Sequence, residues 1–139
     1  MYLSSRKFLL FLLACLAMAI VTPAFADPAP GTIVVHYKRK DNKYDGWGMH
    51  IWSSRGEIPG VKWNTPVMPS GKDDFGVIFT LKQNLFPDDK VNYILHKGES
   101  KDQGGKDMFF IAKEAREVWI VSGSRDIHIS KEAALAAAR

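Results

Sequence analysis

The sequence predicts an antiparallel β-sandwich, and three observations carry that prediction. Seven apolar runs of four to seven residues are rich in Val, Ile, Phe, Tyr and Trp, a composition that favours strands over helices. The segments between these runs consist mainly of Asp, Asn, Gly, Pro, Ser and Lys, which are typical of turns. Short strands that follow one another at this spacing are typical of two packed sheets.

The predicted strands are followed by a short C-terminal helix. In chain order, the apolar runs are 32–37, 47–52, 75–81, 91–96, 108–111, 117–121 and 126–130. After them, Ser130 can cap a helix N-terminus, Glu132 lies in the first turn, and the remaining residues are mostly alanine. A helix of this length is marginal by itself, so we expect it to dock on the sandwich.

The beginning of the chain has the pattern of a signal peptide. Arg6 and Lys7 precede an apolar run over 8–21 that is too short to span a bilayer comfortably, and Thr-Pro-Ala-Phe-Ala over 22–26 supplies a cleavage site. We therefore expect cleavage directly after this site. The alternatives are an uncleaved membrane anchor and a lipoprotein signal that ends at Cys15.

The length and composition of the rest of the chain indicate a single domain. Removal of residues 1–26 from the 139-residue chain leaves 113 residues. The expected organisation is a signal peptide over 1–26, a lead-in over 27–31, a β-sandwich module over 32–130 and a helical tail over 131–139. Two of the 19 basic residues lie in the leader, which leaves 17 against 15 acidic residues, and this small excess does not predict nucleic-acid binding. The single cysteine also lies in the leader, so the secreted or periplasmic domain must rely on its apolar core for stability.

Catalytic and metal-binding patterns do not occur in the sequence. It contains no Gly-x-Ser-x-Gly, His-Glu-x-x-His, phosphate-loop or Gly-x-Gly-x-x-Gly motif. His36 and His128 lie in predicted strands near opposite ends of the domain, which gives little support for a metal cluster. The paired carboxylates at 73–74 and 88–89 occur in turn-like segments, where solvation explains them better than acid–base catalysis. We expect neither an enzyme nor a metal or other cofactor.

The segment Asp-Gly-Trp-Gly-Met-His-Ile-Trp over 45–52 has an unusual distribution of rings. Alternate side chains of a strand point to opposite sides. The two faces therefore carry Trp47, Met49 and Ile51 on one side, and Gly48, His50 and Trp52 on the other. The first set is typical of a core. On the second face, a ring could stack on the apolar C–H face of a pyranose, and the glycine would let a ligand approach closely; the alternative is a tryptophan that caps the sheet edge.

Two further tryptophans and one charged loop are candidates for function. Trp119 lies in an almost wholly apolar run and is expected in the core. Trp63 lies in a long loop before a proline, where it either closes the end of the sandwich or borders a site. The glycine-rich loop after the fourth predicted strand could exchange hydrogen bonds with sugar hydroxyls, but it equally fits a solvated loop. Its charged residues include Lys97, Lys101, Asp102 and Asp107.

Three motifs occur in a characteristic order along the chain. They are Tyr-Asp-Gly-Trp-Gly-x-His-x-Trp within 34–52, His-Lys-Gly-x-x-Lys-Asp within 93–102 and Glu-Val-Trp-x-Val-x-Gly within 117–130, with Gly-Val-Lys-Trp at 60–63 between the first two. In this combination, the chain resembles the bacterial pullulanase-associated domain, also known as carbohydrate-binding module family 41. The resemblance extends over residues 32–130.

The resemblance implies an immunoglobulin-like β-sandwich that binds α-glucans such as starch, glycogen, pullulan and maltooligosaccharides. Carried onto this chain, the stacking and hydrogen-bonding residues of the family are His50, Trp52, Lys101 and Asp102, with Trp47 as a further candidate. Some members have tryptophan where this chain has His50 and another aromatic residue in the 97–102 loop, so fewer rings would stack here and binding would be weaker. The family also implies a glycoside hydrolase as a partner.

Two other functions fit the sequence. An exported structural or interaction domain could have kept the sandwich and lost sugar binding. An oligonucleotide-binding barrel could use the same rings and lysines, but its affinity would fall steeply with salt, whereas sugar stacking would be nearly insensitive to salt.

Overall fold

The fold consists of two β-sheets and a short helix, which a computed structural model describes for residues 27–139. The elements are β1 (Thr32–Lys38), β2 (Gly48–Ser53), β3 (Gly56–Glu57), β4 (Gly71–Lys72), β5 (Val77–Lys82), β6 (Lys90–Lys97), β7 (Ser100–Lys101), β8 (Met108–Ile111), β9 (Glu117–Val121), β10 (Ile127–His128) and α1 (Lys131–Ala137). The seven predicted runs overlap seven of these strands. The sequence missed β3, β4 and β7, because two-residue strands leave no periodic pattern. The predicted signal peptide lies outside the described residues.

The strands form two sheets. The first sheet has the order β10-β9-β1-β5-β4, and the second has β3-β2-β6-β7, with β8 also paired to β6. The predicted all-β sandwich is confirmed, and all pairings between the named strands are antiparallel except β1–β9, which is parallel. This one difference from the expected pairing is feasible because the chain builds the second sheet between β1 and β9, which supplies the long connection that a parallel pair requires.

Alternate side chains of the two sheets form the core between them. Tyr37 and Phe79 of the first sheet, and Ile51 and Tyr93 of the second, are at most 1% exposed. Each fully buried apolar side chain of this size contributes about 1.5–3 kcal/mol relative to an exposed one. Because residues 27–139 contain no cysteine, this core stabilises the described part of the chain without a disulfide.

The C-terminal helix docks on the outer face of the first sheet. Ser130 caps it as predicted, since its side chain accepts a hydrogen bond from the backbone N–H of Ala133. Ala134 is fully buried in a second apolar cluster with Phe75, Trp119 and Val121. The prediction that Trp119 is a core residue is therefore confirmed. Within residues 27–139, no helix has the length and apolar character needed to cross a membrane.

Two histidines that are distant in sequence lie close together on the first sheet. His36 and His128 are both register partners of Trp119, on either side of it, so the expectation that they lie near opposite ends of the domain is wrong. The ring nitrogens of His36 lie 2.9 Å from a carboxylate oxygen of Asp73 and 2.8 Å from one of Glu117. Among residues 27–139, no three His, Cys, Asp or Glu side chains form a group that could hold a metal ion.

Candidate functional site

The outer face of the second sheet carries several aromatic rings. Its outward positions on the two central strands are Gly48, His50, Trp52, Asn92, Ile94 and His96. We call this surface the open face, because α1 packs on the other sheet. Met49 and Ile51 point inward and are at most 1% exposed, whereas His50 and Trp52 are half-buried. The structure thus shows the alternation that the sequence predicts for this strand.

Four rings come together on the open face, and we refer to His50, Trp52, Trp63 and His96 as the ring cluster. Trp63 stacks on His96, with ring centroids 3.7 Å apart and an interplanar angle of 10°. His50 lies between the two tryptophans, with its centroid 5.6 Å from that of Trp52 and 5.6 Å from that of Trp63. The cluster therefore contains two rings that the sequence placed there by alternation and two that it did not assign.

Trp63 reaches the open face from the long loop between β3 and β4. Backbone hydrogen bonds between Met49 and Val67, of 2.8 and 2.9 Å, attach this loop to β2. The indole Nε1–H donates to the Glu99 carboxylate at 3.0 Å, which fixes the ring from the opposite side of the site. Trp63 therefore borders a surface site, the second of the two locations that the sequence left open, and its orientation is fixed before any ligand arrives.

Gly48 has a different role from the expected one. A Cβ atom built at Gly48 would lie 2.6 Å from Cγ of Pro66 and 3.0 Å from Sδ of Met68. The space above this glycine is thus filled by the returning loop, and the expectation that it leaves room for a ligand is wrong. The glycine is required because the loop that carries Trp63 packs directly against β2.

The surroundings of His50 favour its uncharged imidazole. Burial and, second, the nearby His96 ring lower its pKa below the usual 6.5, against smaller opposing effects of the Lys62 backbone and the Glu57 charge. His96 Nδ1 donates to the carbonyl oxygen of Gly98 at 2.9 Å, which orients the ring. One imidazole thus lies between the two tryptophans and the other lies beneath Trp63.

Lys101 lies at the edge of the ring cluster. It is exposed on β7, is the register partner of His96, and has its Nζ 5.3 Å from the centroid of the Trp63 ring. An ammonium group in this position can donate hydrogen bonds to a molecule stacked on the indole. The structure therefore places Lys101 beside Trp63, and a contact between Lys101 and a sugar remains a prediction.

Asp102 is buried and hydrogen-bonded within the protein, although the residue before it, Lys101, is exposed. Asp102 is 9% exposed, and its carboxylate accepts hydrogen bonds from the Tyr37 hydroxyl, the Gln103 N–H at 2.6 Å and the Gly123 N–H at 2.7 Å. Burial of Tyr37 and its hydrogen bond to Asp102 raise the pKa of the Tyr37 phenol far above its usual range, so the phenol remains a donor. Asp102 thus connects the β7–β8 loop to β1 and to the turn after β9. A direct contact between Asp102 and a sugar remains a prediction.

Trp47 lies apart from the ring cluster. It packs against the main core, with its ring centroid 6.2 Å from that of Tyr37. The Arg39 guanidinium carbon lies 3.9 Å from the Trp47 ring centroid, in the geometry of a cation–π contact. Core packing, the role that the alternation favours, is what the structure shows, and a sugar contact through Trp47 remains a prediction.

A cleft of about 380 Å³ adjoins the ring cluster. Its lining residues are Gly46, Trp63, Asn64, Pro66, Met68, His96, Gly98 and Glu99. The apolar wall is formed by rings and a proline, and the rim carries an amide and a carboxylate. Such a surface suits a ligand with a flat apolar face and hydroxyl groups at its edge.

Comparison with known proteins identifies relatives for most of the described chain. Residues 31–129 match the family model described as "Bacterial pullanase-associated domain". An α-amylase of Streptomyces lividans is 35% identical over 85 residues, which cover 60% of this chain and 9% of the amylase. Most of that relative thus lies outside the region of similarity.

Solved structures share the fold at low sequence identity. A structure described as "Alpha-glucan binding by a streptococcal virulence factor" matches 76% of this chain and 50% of its own length, with a TM-score of 0.63 and 14% identity. The Klebsiella pneumoniae pullulanase complexed with maltotriose matches 82% of this chain and 12% of its own, with a TM-score of 0.66 and 19% identity. Because the family model matches residues 31–129, which include the strands of both sheets, the chain belongs to the bacterial pullanase-associated domain family.

Proposed function

We propose that this protein is a non-catalytic module that binds α-glucans, such as starch, glycogen, pullulan and maltooligosaccharides, at the ring cluster. The single observation that carries the proposal is the position of Trp63, which stacks on His96, donates to Glu99 and lies beside His50 and Lys101. Membership of the family, together with the α-glucan binding described for one structural neighbour, supplies the ligand class.

Stacking would supply most of the affinity. One face of a pyranose presents apolar C–H groups with slight positive charge, and the face of an indole is apolar and slightly negative. Trp52 is held on a strand, and Trp63 is held by a ring below it and a hydrogen bond at its edge. Little conformational entropy would be lost when a sugar binds to rings that are already fixed.

Polar contacts would select the orientation of the sugar. Lys101 is exposed beside Trp63 and can donate to a hydroxyl, whereas the Glu99 carboxylate has a second oxygen that can accept. The Asp102 oxygens are already occupied within the protein, so we assign Asp102 to holding the loop that carries Lys101. The lysine and the aspartate of the motif would thus act together, one at the sugar and one beneath it.

Binding experiments with linkage-matched ligands test the proposal. Titration calorimetry with maltoheptaose should show saturable binding, and cello-oligosaccharides of the same length should show none. Retention in amylopectin gels should change little between low and high salt, because stacking involves no counterion release. Absence of any α-glucan binding would favour the alternative of an interaction domain that has lost its sugar site, and a steep salt dependence would favour the nucleic-acid alternative.

Two tryptophan variants separate binding from stability. Trp52→Ala should weaken binding by about 1–3 kcal/mol, by analogy with rings that stack on bases, and leave the thermal midpoint nearly unchanged. Trp119→Ala is the matched control, since removal of a buried tryptophan costs about 3–5 kcal/mol and should unfold the domain. Early melting of Trp52→Ala, or parental affinity for amylopectin, would contradict a surface role for Trp52.

A glycoside hydrolase that acts on the same polymer is the partner we propose. The α-amylase and the pullulanase to which this chain is similar are much longer chains, in which the matched region is about a tenth of the length. A module that holds the polymer raises the local concentration of substrate for a linked or neighbouring enzyme.

A further inference from the structure

Phe109 is an exposed ring on the open face, outside the ring cluster. It lies on β8 between Met108 and Phe110, which are 8% and 7% exposed, whereas Phe109 itself is 54% exposed. Alternation on β8 therefore directs it to the same side of the second sheet as the ring cluster. More than half of this phenylalanine is therefore apolar surface left in water.

Phe109 is in register with Trp52 across the sheet. Trp52 is the partner of Asn92 on β6, and Asn92 is in turn the partner of Phe109 on β8. Strands that pair lie about 4.8 Å apart, so the Cα atoms of the two aromatic residues are roughly 10 Å apart with Asn92 midway. The Asn92 amide nitrogen donates to the Trp52 carbonyl at 3.2 Å, which leaves its side-chain oxygen as an acceptor between the rings.

The environment of Phe109 repeats that of Trp63. The Lys90 ammonium lies 4.4 Å from the centroid of the Phe109 ring, as that of Lys101 lies 5.3 Å from the Trp63 ring. In both places a flat ring for stacking has a hydrogen-bond donor over it. The pair at Trp63 lies beside His96, whereas the pair at Phe109 lies four residues away along β6, beside Asn92. Phe109 is separated from Trp52 by Asn92 alone, so the open face carries a second ring-and-lysine pair next to the ring cluster.

We propose that the glucan-binding site extends across β6 to a second contact at Phe109, where the ring stacks on a distal glucose unit and Lys90 donates to its hydroxyls. This inference rests on the proposed function and adds a chain-length requirement to it. A ligand that covers only the ring cluster leaves Phe109 unoccupied, whereas a longer chain laid over the open face contacts both places. The extension therefore makes affinity grow with ligand length.

Titration of parent and variants with maltose and maltoheptaose tests the extension. Phe109→Ala should lose about five- to tenfold in affinity for maltoheptaose, the lower end of the range for a stacking ring, and keep its affinity for maltose. Phe109→Leu keeps an apolar side chain without the flat face and should lose as much, whereas Phe109→Tyr should bind as the parent does. Lys90→Gln should weaken maltoheptaose binding alone.

The outcomes distinguish failure of the extension from failure of the proposed function. If Phe109→Ala binds maltoheptaose as tightly as the parent does, or loses equal affinity for maltose and maltoheptaose, the extension is wrong. The ring cluster would still be a sugar site in either case. Absence of binding by the parent contradicts the proposed function and the extension with it. Since Phe109 is exposed, its variants should melt with the parent, so a loss of affinity cannot come from unfolding.

Discussion

The indole of Trp63 lies face to face on the imidazole of His96, at 3.7 Å between centroids, although the two residues are 33 positions apart in the chain. His96 belongs to the central strand β6, and Trp63 to a loop. The strand thus supports the loop ring from below, and the Glu99 hydrogen bond holds its edge. Trp63 is therefore held in place by the sheet although it lies in a loop, and a stacking ring needs such a fixed position.

Trp63→Ala should weaken α-glucan binding by roughly ten- to a hundredfold with little effect on stability. A half-exposed ring on the surface contributes about 1 kcal/mol or less to unfolding, whereas a stacking ring contributes about 1–3 kcal/mol to binding. Titration calorimetry and a thermal melt measure the two effects. Trp47→Ala is the matched control, because that ring packs on the core under Arg39 and its loss should lower the melting temperature. A Trp47 variant that melts normally yet no longer binds would instead make Trp47 a sugar contact.

Asp102→Ala should destabilise the protein and weaken binding together. The change leaves the Tyr37 hydroxyl and the Gln103 and Gly123 N–H groups without their acceptor, and each unpaired buried donor costs about 1–3 kcal/mol. Urea denaturation measures this loss, with Asp107→Ala as the control for an exposed carboxylate of the same loop. If Asp102→Ala loses affinity with unchanged stability, its carboxylate contacts the sugar directly.

His50 should make stability fall at acidic pH. Its pKa in the folded protein is below the usual 6.5, so the unfolded chain binds the proton first as the pH falls. The stability linked to His50 is therefore complete above about pH 6.5 and declines as the pH falls through the folded pKa. Thermal melts of the parent and His50→Gln over this range should show a steeper decline for the parent. Parallel profiles would contradict the lowered pKa.

The exported protein should begin at Asp27 and carry no lipid. Cleavage after Ala-Phe-Ala removes the only cysteine, Cys15, to which a lipid could be attached. Intact-mass measurement of protein recovered from the periplasm or medium of a bacterial host gives the answer directly. A mass that includes Cys15 defeats this prediction.

The purified protein should hydrolyse no α-glucan. Glycoside hydrolysis usually requires two carboxyl groups that face one another across the scissile bond. Among residues 27–139, Glu99 is the only carboxylate that accepts a hydrogen bond from a ring of the cluster. Reducing-sugar release from pullulan and starch, compared with a heat-killed sample, is the measurement. Release above that control would show an activity that the geometry does not account for.

Local patterns predicted most of the fold and half of the ring cluster. The alternation around Met49 and Ile51 placed His50 and Trp52 outward, because the side chains of a strand alternate regardless of its neighbours. The Ser130 cap and the alanine-rich tail likewise predicted α1, since capping depends on adjacent residues. These features need no knowledge of which strands pair.

The remaining features depend on contacts between distant segments. No periodicity shows that the loop carrying Trp63 returns over Gly48 to reach His96, and so the sequence left the role of Trp63 open. From the local sequence, Asp102 resembles a solvated loop residue. The groups that donate hydrogen bonds to its carboxylate include those of Tyr37 and Gly123, which lie far away in the chain. The same loop carries the exposed carboxylates Glu99 and Asp107, so nothing in the local sequence distinguishes the buried Asp102 from them.

Because α1 covers only the first sheet, the outer surfaces of the two sheets differ. Ala134 and Trp119 close the outer surface of the first sheet, while the rings lie on the opposite side, more than the thickness of a two-sheet sandwich away. Adsorbed on a polysaccharide granule through its rings, the protein would always present the helix to the surrounding medium. A fluorophore attached to a cysteine that replaces an exposed alanine of α1 would remain accessible to soluble quenchers on the granule, so the covered side is the place to attach labels or fusion partners.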